Sequence, residues 1–144
     1  MYVGSMVDAR VRKELIDYLF VLYDHVRADL KGLLHELDLT DAQAAALWRL
    51  SDEQEMTARQ LADRLHCDAS TASSMIDRLE RHGVVRRVPH PTDRRAKILR
   101  LTPRGCELRD QLVRYTTERS PFAGLAPSDQ RRLHALLSQS AAGR

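Results

Sequence analysis

The spacing of apolar residues changes at Gly83, and this change constrains the fold more than any other feature of the sequence. Upstream, four apolar residues recur at helical steps of three and four: Ala72, Met75, Ile76 and Leu79. Downstream, residues 84–88 and 96–101 alternate with a period of two around a loop that contains two prolines. Glycine favours the left-handed conformation that ends helices. The pattern therefore predicts a helix to about Arg81 and a β-hairpin directly after it.

A shorter helical pattern precedes this helix, and a tight turn joins the two. It begins at Thr57 and places four apolar residues on one face: Ala58, Leu61, Ala62 and Leu65. The turn occupies residues 66–68, and either Asp68 or Ser70 is suited to cap the next helix. Two short helices, a tight turn and a hairpin form a winged helix-turn-helix. The second helix of such a pair fits the major groove of DNA.

The N-terminal part of the sequence predicts two more helices. Apolar residues from Val11 to Leu37 recur at steps of three and four, which predicts an amphipathic helix of about seven turns. This length exceeds the mean of globular helices and favours packing against a dimer partner. Thr40 or Asp41 begins a second helix, and residues 51–56 are interpreted as a polar break.

The C-terminal part predicts two further helices. Thr102 and Pro103 suit the cap and first position of a helix that ends before Pro121. Gly124 and Pro127 mark the connection to the last helix. The predicted order is four helices, two strands and two helices. The expected fold is a single mainly α unit with a small β-hairpin wing.

Basic residues are concentrated in the middle third of the 144-residue chain. Between Thr57 and Arg104, eleven Lys or Arg stand against five acidic residues, whereas the whole chain has a formal net charge of only +3. A basic centre between mildly acidic flanks is typical of a module that binds a polyanion. The apolar run at residues 18–23 is far shorter than the roughly 18 residues of a membrane span. No secretion signal is recognisable either, so we expect a cytoplasmic protein without a membrane partner.

The sequence offers no pattern typical of an enzyme or a metal site. It contains no Gly-x-Ser-x-Gly motif, no phosphate-binding glycine loop and no paired catalytic carboxylates. The six histidines lack zinc-site spacing, and Cys67 and Cys106 lack the spacing of a redox pair or a disulfide scaffold. We therefore predict no catalysis, cofactor or metal. Oxidation sensing at Cys67, in the turn beside several arginines, is an open alternative.

Several segments resemble the MarR family of regulators, and the resemblance covers essentially the whole chain. They are Leu61 to Leu65, Ser70-Thr71, Ile76 to Arg87, His90 to Lys97 and Leu101 to Gly105. The resemblance implies a homodimer that binds a pseudo-palindromic operator through two recognition helices. We interpret residues 1–144 as one such unit, with a DNA-binding lobe at 40–101 and dimerisation helices at 8–37 and 102–141.

The candidate DNA-binding residues lie on the fourth helix and in the hairpin. They are Ser70, Thr71, Ser73, Ser74, Arg78, Arg86, Asp93, Arg94, Arg95 and Lys97. The resemblance implies that Asp93 pairs with Arg95 and directs it towards the minor groove. Many relatives carry arginine at Ser74, so hydroxyls, bridging water and groove shape are expected to contribute more to specificity here. Arg86 and Arg87 point to opposite sides of a strand, and we favour Arg86 for DNA contact.

Two functions of different class remain open. One is a sequence-specific regulator, expected to be a repressor because repression is the commoner outcome in the family. The resemblance also implies a small-molecule effector that binds between the dimer helices and the DNA-binding lobe. The other is a winged-helix module for protein assembly that has no operator, in which the basic hairpin is solvated surface. Five aromatic residues suit a core, an interface or a pocket equally: Tyr18, Tyr23, Trp48, Tyr115 and Phe122.

Overall fold

The computed structural model describes residues 3–51 and 53–143, and this part of the chain forms two compact units. Unit 1 consists of the described residues up to Asp29 and from Thr116 onward, and unit 2 is Leu30–Tyr115. The elements are α1 (Val3–Glu36), α2 (Asp41–Arg49), β1 (Met56–Thr57), α3 (Ala58–Leu65), α4 (Ala69–Arg81), β2 (Val85–Pro89), β3 (Lys97–Leu101), α5 (Pro103–Glu118) and α6 (Pro127–Ala142). The expected class, mainly α with a small β wing, is confirmed.

Threonine residues cap the N-termini of α2 and α3. The Thr40 hydroxyl accepts a hydrogen bond from the Gln43 backbone N–H at 3.2 Å, and the Gln43 side chain accepts one from the Thr40 N–H at 2.9 Å. Thr57 and Gln60 form the same reciprocal pair at the start of α3. Each pair satisfies backbone donors that a helix start leaves free. Thr40 is therefore the cap of α2, and α3 begins just after Thr57.

The turn between α3 and α4 is closed by backbone geometry and one carboxylate. His66 adopts the left-handed conformation at φ 52°, and the Cys67 N–H reaches back to the Ala62 carbonyl at 3.1 Å. Asp68 Oδ1 accepts from the Thr71 N–H at 2.7 Å. Asp68, and not Ser70, is thus the cap that begins α4.

The small sheet contains one strand that the sequence analysis missed. The strand order is β1-β3-β2, and both pairings are antiparallel. Met56, interpreted as part of a polar break, pairs with Leu99 and is only 2% exposed. A strand of two residues is too short to show a period of two. It forms because β3 has a free edge beside the start of α3.

The core lies in unit 2 and fixes the junction between α4, β2 and α5. The four apolar residues predicted to face inward from α4 are all buried: Ala72, Met75, Ile76 and Leu79. Gly83 adopts φ +72°, as predicted for the end of the helix. The Thr102 hydroxyl donates to the Gly83 carbonyl at 2.6 Å and accepts from the Gly105 N–H at 3.0 Å. A Cβ on Gly105 would lie 1.9 Å from the Val84 carbonyl oxygen, so only glycine fits there.

Unit 1 has no buried core of its own. Among the side chains described in this unit, none is buried, and large apolar residues of α1 such as Leu15 and Leu19 are 60% and 56% exposed. An apolar groove of about 530 Å³ runs over the unit, lined by Leu15, Tyr18, Leu19, Leu22, Tyr23, Val26, Pro121, Phe122, Leu133 and Leu137. Within residues 3–51 and 53–143, no helix is both long and apolar enough to cross a membrane.

Candidate DNA interface

One face of α4 is polar and exposed. It carries Ser70, Thr71, Ser73, Ser74 and Arg78, all of which are exposed. The buried apolar residues of the helix occupy the opposite side, because steps of three and four return to the same face. The structure therefore brings together the five residues that the sequence analysis placed on the recognition helix.

The four hydroxyls of this face have different surroundings. The Ser70 hydroxyl donates to Asp68 Oδ1 at 2.9 Å, and the Thr71 side chain also bonds to this carboxylate. The Thr71 backbone N–H, followed by the hydroxyls of Thr71 and Ser70, holds the pKa of Asp68 below its usual range. In the described part of the chain, the hydroxyls of Ser73 and Ser74 carry no such bond and remain free for another partner.

A shallow concave surface lies between α2 and α4. It encloses about 310 Å³ and is lined by Thr40, Ala42, Gln43, Ser70, Thr71, Ser74, Met75 and Arg78. Thr40 caps α2 and Ser70 lies in the first turn of α4, so both helix N-termini adjoin this surface. The positive ends of the two helix dipoles favour phosphate oxygens there, next to the Arg78 guanidinium.

The tip of the wing is a closed loop between β2 and β3. Pro89 pairs with Lys97, the His90 N–H donates to the Ala96 carbonyl at 3.1 Å, and the Ala96 N–H donates to the Asp93 carbonyl at 3.2 Å. Arg94, Arg95 and Lys97 are exposed. The tip is thus a folded turn that presents three cations to solvent.

Asp93 and Arg95 pair through the backbone of Arg95. Asp93 Oδ1 accepts a hydrogen bond from the Arg95 backbone N–H at 3.0 Å. No ion pair between the two side chains is found within residues 53–143. A backbone amide two residues ahead is the natural partner of an aspartate in a turn. The arrangement leaves the Arg95 guanidinium available for a ligand.

Arg87 joins the wing to α4, which the sequence analysis did not foresee. Its Nη1 lies 2.8 Å from Asp77 Oδ1 and also pairs with Glu80, and its Nη2 is 3.5 Å from the Ser73 carbonyl. Asp77 and Glu80 lie three residues apart on one helix face, a spacing that offered the only sequence signal for this pairing. Arg86 is exposed on the other side of β2, and its contact with DNA stays a prediction.

A second basic surface adjoins the wing, and it contains a residue absent from our candidates. Arg59 of α3 lines it together with Arg87, Asp93, Arg95 and Lys97 of the wing. The sequence could not place Arg59 here, because the pairing of β1 with β3 brings the start of α3 beside the hairpin. Arg87 is already paired with Asp77 and Glu80, so Arg59, Arg95 and Lys97 beside the Asp93 carboxylate give this surface its positive charge, which favours a polyanion.

The described residues contain neither a cluster suited to a metal ion nor a disulfide. No group of three His, Cys, Asp or Glu side chains in residues 3–51 and 53–143 is arranged to hold a metal ion. Cys67 and Cys106 form no disulfide in the described residues, and both are partly buried. Oxidation sensing at Cys67 therefore stays an open alternative.

A helix pair with a tight turn, an exposed polar recognition face and a basic antiparallel wing define a winged helix-turn-helix protein. The MarR family model matches residues 39–97. The chain is 31% identical over 118 residues to the HTH-type transcriptional regulator PecS of Dickeya dadantii (strain 3937), covering 81% of this chain and 69% of PecS. It is 25% identical over 130 residues to the HTH-type transcriptional repressor IacR of Pseudomonas putida, covering 88% of this chain and 78% of IacR.

Solved structures agree with these relatives. A MarR-family transcriptional regulator from Silicibacter pomeroyi superposes with a TM-score of 0.75 at 27% identity, covering 90% of each chain. The chain belongs to the MarR family of transcriptional regulators. It is accordingly a DNA-binding regulator and not an enzyme.

Proposed function

We propose that this regulator is a homodimeric repressor that binds a pseudo-palindromic operator. The observation that carries the proposal is the exposed face of α4, where free hydroxyls lie beside a wing with three exposed cations. The relative IacR is named a repressor, which supports repression as the outcome. A protein that acts on chromosomal DNA in this way works in the cytoplasm.

In this proposal, α4 and the wing contact different parts of the DNA. Ser73, Ser74 and Arg78 read base edges in the major groove, while Ser70 and Thr71 share their hydroxyls with the helix cap. Arg94 and Arg95 enter the minor groove, where negative potential is enhanced. Arg86 and Lys97 contact phosphates, and Asp93 holds the turn that presents Arg95. Residues 40–101 form the DNA-binding lobe in this proposal.

The second copy of the chain covers the apolar surface of unit 1. A unit without buried side chains cannot offset the entropy of folding by itself, and exposed apolar patches of this kind mark interfaces. We therefore assign the helices at 8–37 and 102–141 to dimerisation, with the contact made by their parts in unit 1, up to Asp29 and from Thr116 onward. Two-fold symmetry of the protein then matches two-fold symmetry of the operator.

A small-molecule effector that releases the operator is the remaining part of the proposal. It acts only if it binds the DNA-competent and DNA-incompetent dimers with unequal affinity. The measurement is operator affinity with and without candidate apolar ligands at constant salt. A ligand that binds the dimer and leaves operator affinity unchanged is not an effector.

Selection of bound duplexes from a random pool tests the function directly. Purified protein is incubated with the pool, and the enriched duplexes then compete against bulk DNA at two salt concentrations. We expect an inverted repeat with half-sites about one helical turn apart, and binding that weakens steeply with salt yet separates the repeat from random duplex. Salt-sensitive binding without enrichment would instead favour a protein-assembly module.

A further inference from the structure

The imidazole of His90 lies at the base of the wing tip and accepts two backbone hydrogen bonds. Its Nδ1 is 3.2 Å from the Thr92 backbone nitrogen and 3.1 Å from that of Asp93. The Thr92 hydroxyl oxygen lies 3.3 Å from the same atom. A ring nitrogen bonded by two backbone N–H groups acts as a hydrogen-bond acceptor, so Nδ1 is the acceptor of this turn.

Two consecutive hydrogen bonds connect His90 to Arg95. His90 Nδ1 fixes the amide of Asp93, and the Asp93 carboxylate fixes the amide of Arg95 at 3.0 Å. Pro91 has no N–H and restricts the backbone between His90 and Thr92. Each of these contacts orders the segment that carries the exposed Arg94 and Arg95.

We propose that His90 is the positioning residue of the wing, whose Nδ1 holds the tip in the conformation that presents Arg94 and Arg95 to DNA. This inference rests on the proposed function, in which the wing binds DNA. The acceptor atom occupies the place that Asp or Asn takes in a side-chain-capped turn, where an oxygen accepts from amides two and three residues ahead.

Three substitutions at His90 distinguish the contribution of the Nδ1 acceptor from that of the size of the ring. In His90→Asn, the Oδ1 atom lies at the same number of bonds from the backbone as Nδ1. In His90→Gln, the Oε1 atom corresponds to Nε2 instead, and His90→Ala has neither acceptor. Affinity is measured for the selected duplex and for a random-sequence duplex. Thermal unfolding of each variant verifies that it folds.

We expect His90→Ala and His90→Gln to bind the selected duplex about fivefold more weakly, a loss on the scale of one net hydrogen bond. His90→Asn should retain affinity within about twofold of the natural protein. A flat series, or an asparagine variant as weak as alanine, overturns the role of the Nδ1 acceptor.

A second series shows whether His90 acts through the wing cations. In a chain that carries Arg94→Ala and Arg95→Ala, adding His90→Ala should cause no further loss, because the positioned groups are gone. A full additional loss in this background overturns the inference. If the double arginine variant itself binds as well as the natural protein, the proposed DNA contact of the wing fails, and the inference fails with it. If that variant weakens binding while the His90 series is flat, the inference alone fails.

Discussion

At the scale of single residues, the hydroxyls at the start of α4 form two pairs with different partners. Ser70 and Thr71 bond to the Asp68 carboxylate, whereas Ser73 and Ser74 have no such bond in the described part of the chain. A hydroxyl already committed to a cap contributes less to base recognition. Discrimination between base pairs should therefore depend on the second pair.

Substitution of Ser74 should change which sequences are bound. Ser74→Ala removes a free donor and acceptor from the exposed face, so the preference at one position of each half-site should relax, by about 1–3 kcal/mol at most. The measurement is the base-frequency profile after selection from a random pool. Ser70→Ala is the matched control and should leave the profile unchanged. Equal losses on every duplex for Ser74→Ala would argue against base reading.

Substitution of Arg95 should weaken binding without changing sequence preference. Arg95→Ala removes a guanidinium that no described side chain pairs with, so affinity should fall several-fold on most duplexes. The slope of log affinity against log salt should become flatter by about one. Arg10→Ala, which removes an exposed arginine paired with Glu14 on α1, is the control. An unchanged salt slope would mean that Arg95 does not contact DNA.

The Asp68 cap should make stability depend on pH in the acid range. The pKa of Asp68 is lowered in the folded chain by the Thr71 N–H and by the neighbouring hydroxyls. Its contribution is therefore present above the pKa of the unfolded chain and lost as pH falls through the lower folded pKa. Asp68→Asn keeps an oxygen acceptor but cannot titrate. The Tm of the natural protein should exceed that of Asp68→Asn near neutral pH, and the two should converge on acidification.

At the scale of elements, the start of α5 fits against the beginning of the wing through Gly105. Gly105→Ala places a Cβ against the Val84 carbonyl oxygen, so backbone must shift and stability should fall by about 1–3 kcal/mol. Gly32→Ala is the matched control, because no atom lies within 4 Å of its added Cβ. Alanine there should raise stability by about 0.5–1 kcal/mol through helix propensity. Chemical denaturation measures both, and equal effects would disprove the steric argument.

The sequence predicted the elements whose signals are local and missed those that depend on distant pairing. Thr40, Asp68 and Gly83 each act within a few residues, so their caps and the helix end could be predicted. Strand β1 could not, because two residues carry no periodicity and its partner Leu99 lies more than forty positions away. The contacts of Arg87 and the position of Arg59 depend on the same long-range arrangement of sheet and helices.

At the scale of the whole molecule, substitutions in the apolar groove of unit 1 test the proposed dimer. Leu19→Glu places a charge among the groove residues and should convert the protein to a monomer, as seen by sedimentation at roughly micromolar concentration. Lys13→Glu places a glutamate on another side of α1, with an even larger change in charge, and should leave the dimer intact, since the exposed pair of Lys13 with Asp17 contributes little. A natural protein that sediments as a monomer would overturn the dimer.

The small sheet has two outer strands, and neither is suited to pair with a strand from another molecule. β1 is only two residues long, and β2 carries Arg86 and Arg87 and ends at Pro89, which has no N–H to donate. Short, charged or proline-containing edges oppose the edge-to-edge pairing that begins β aggregation. The edges of the sheet therefore oppose the joining of wings from separate molecules into a common sheet.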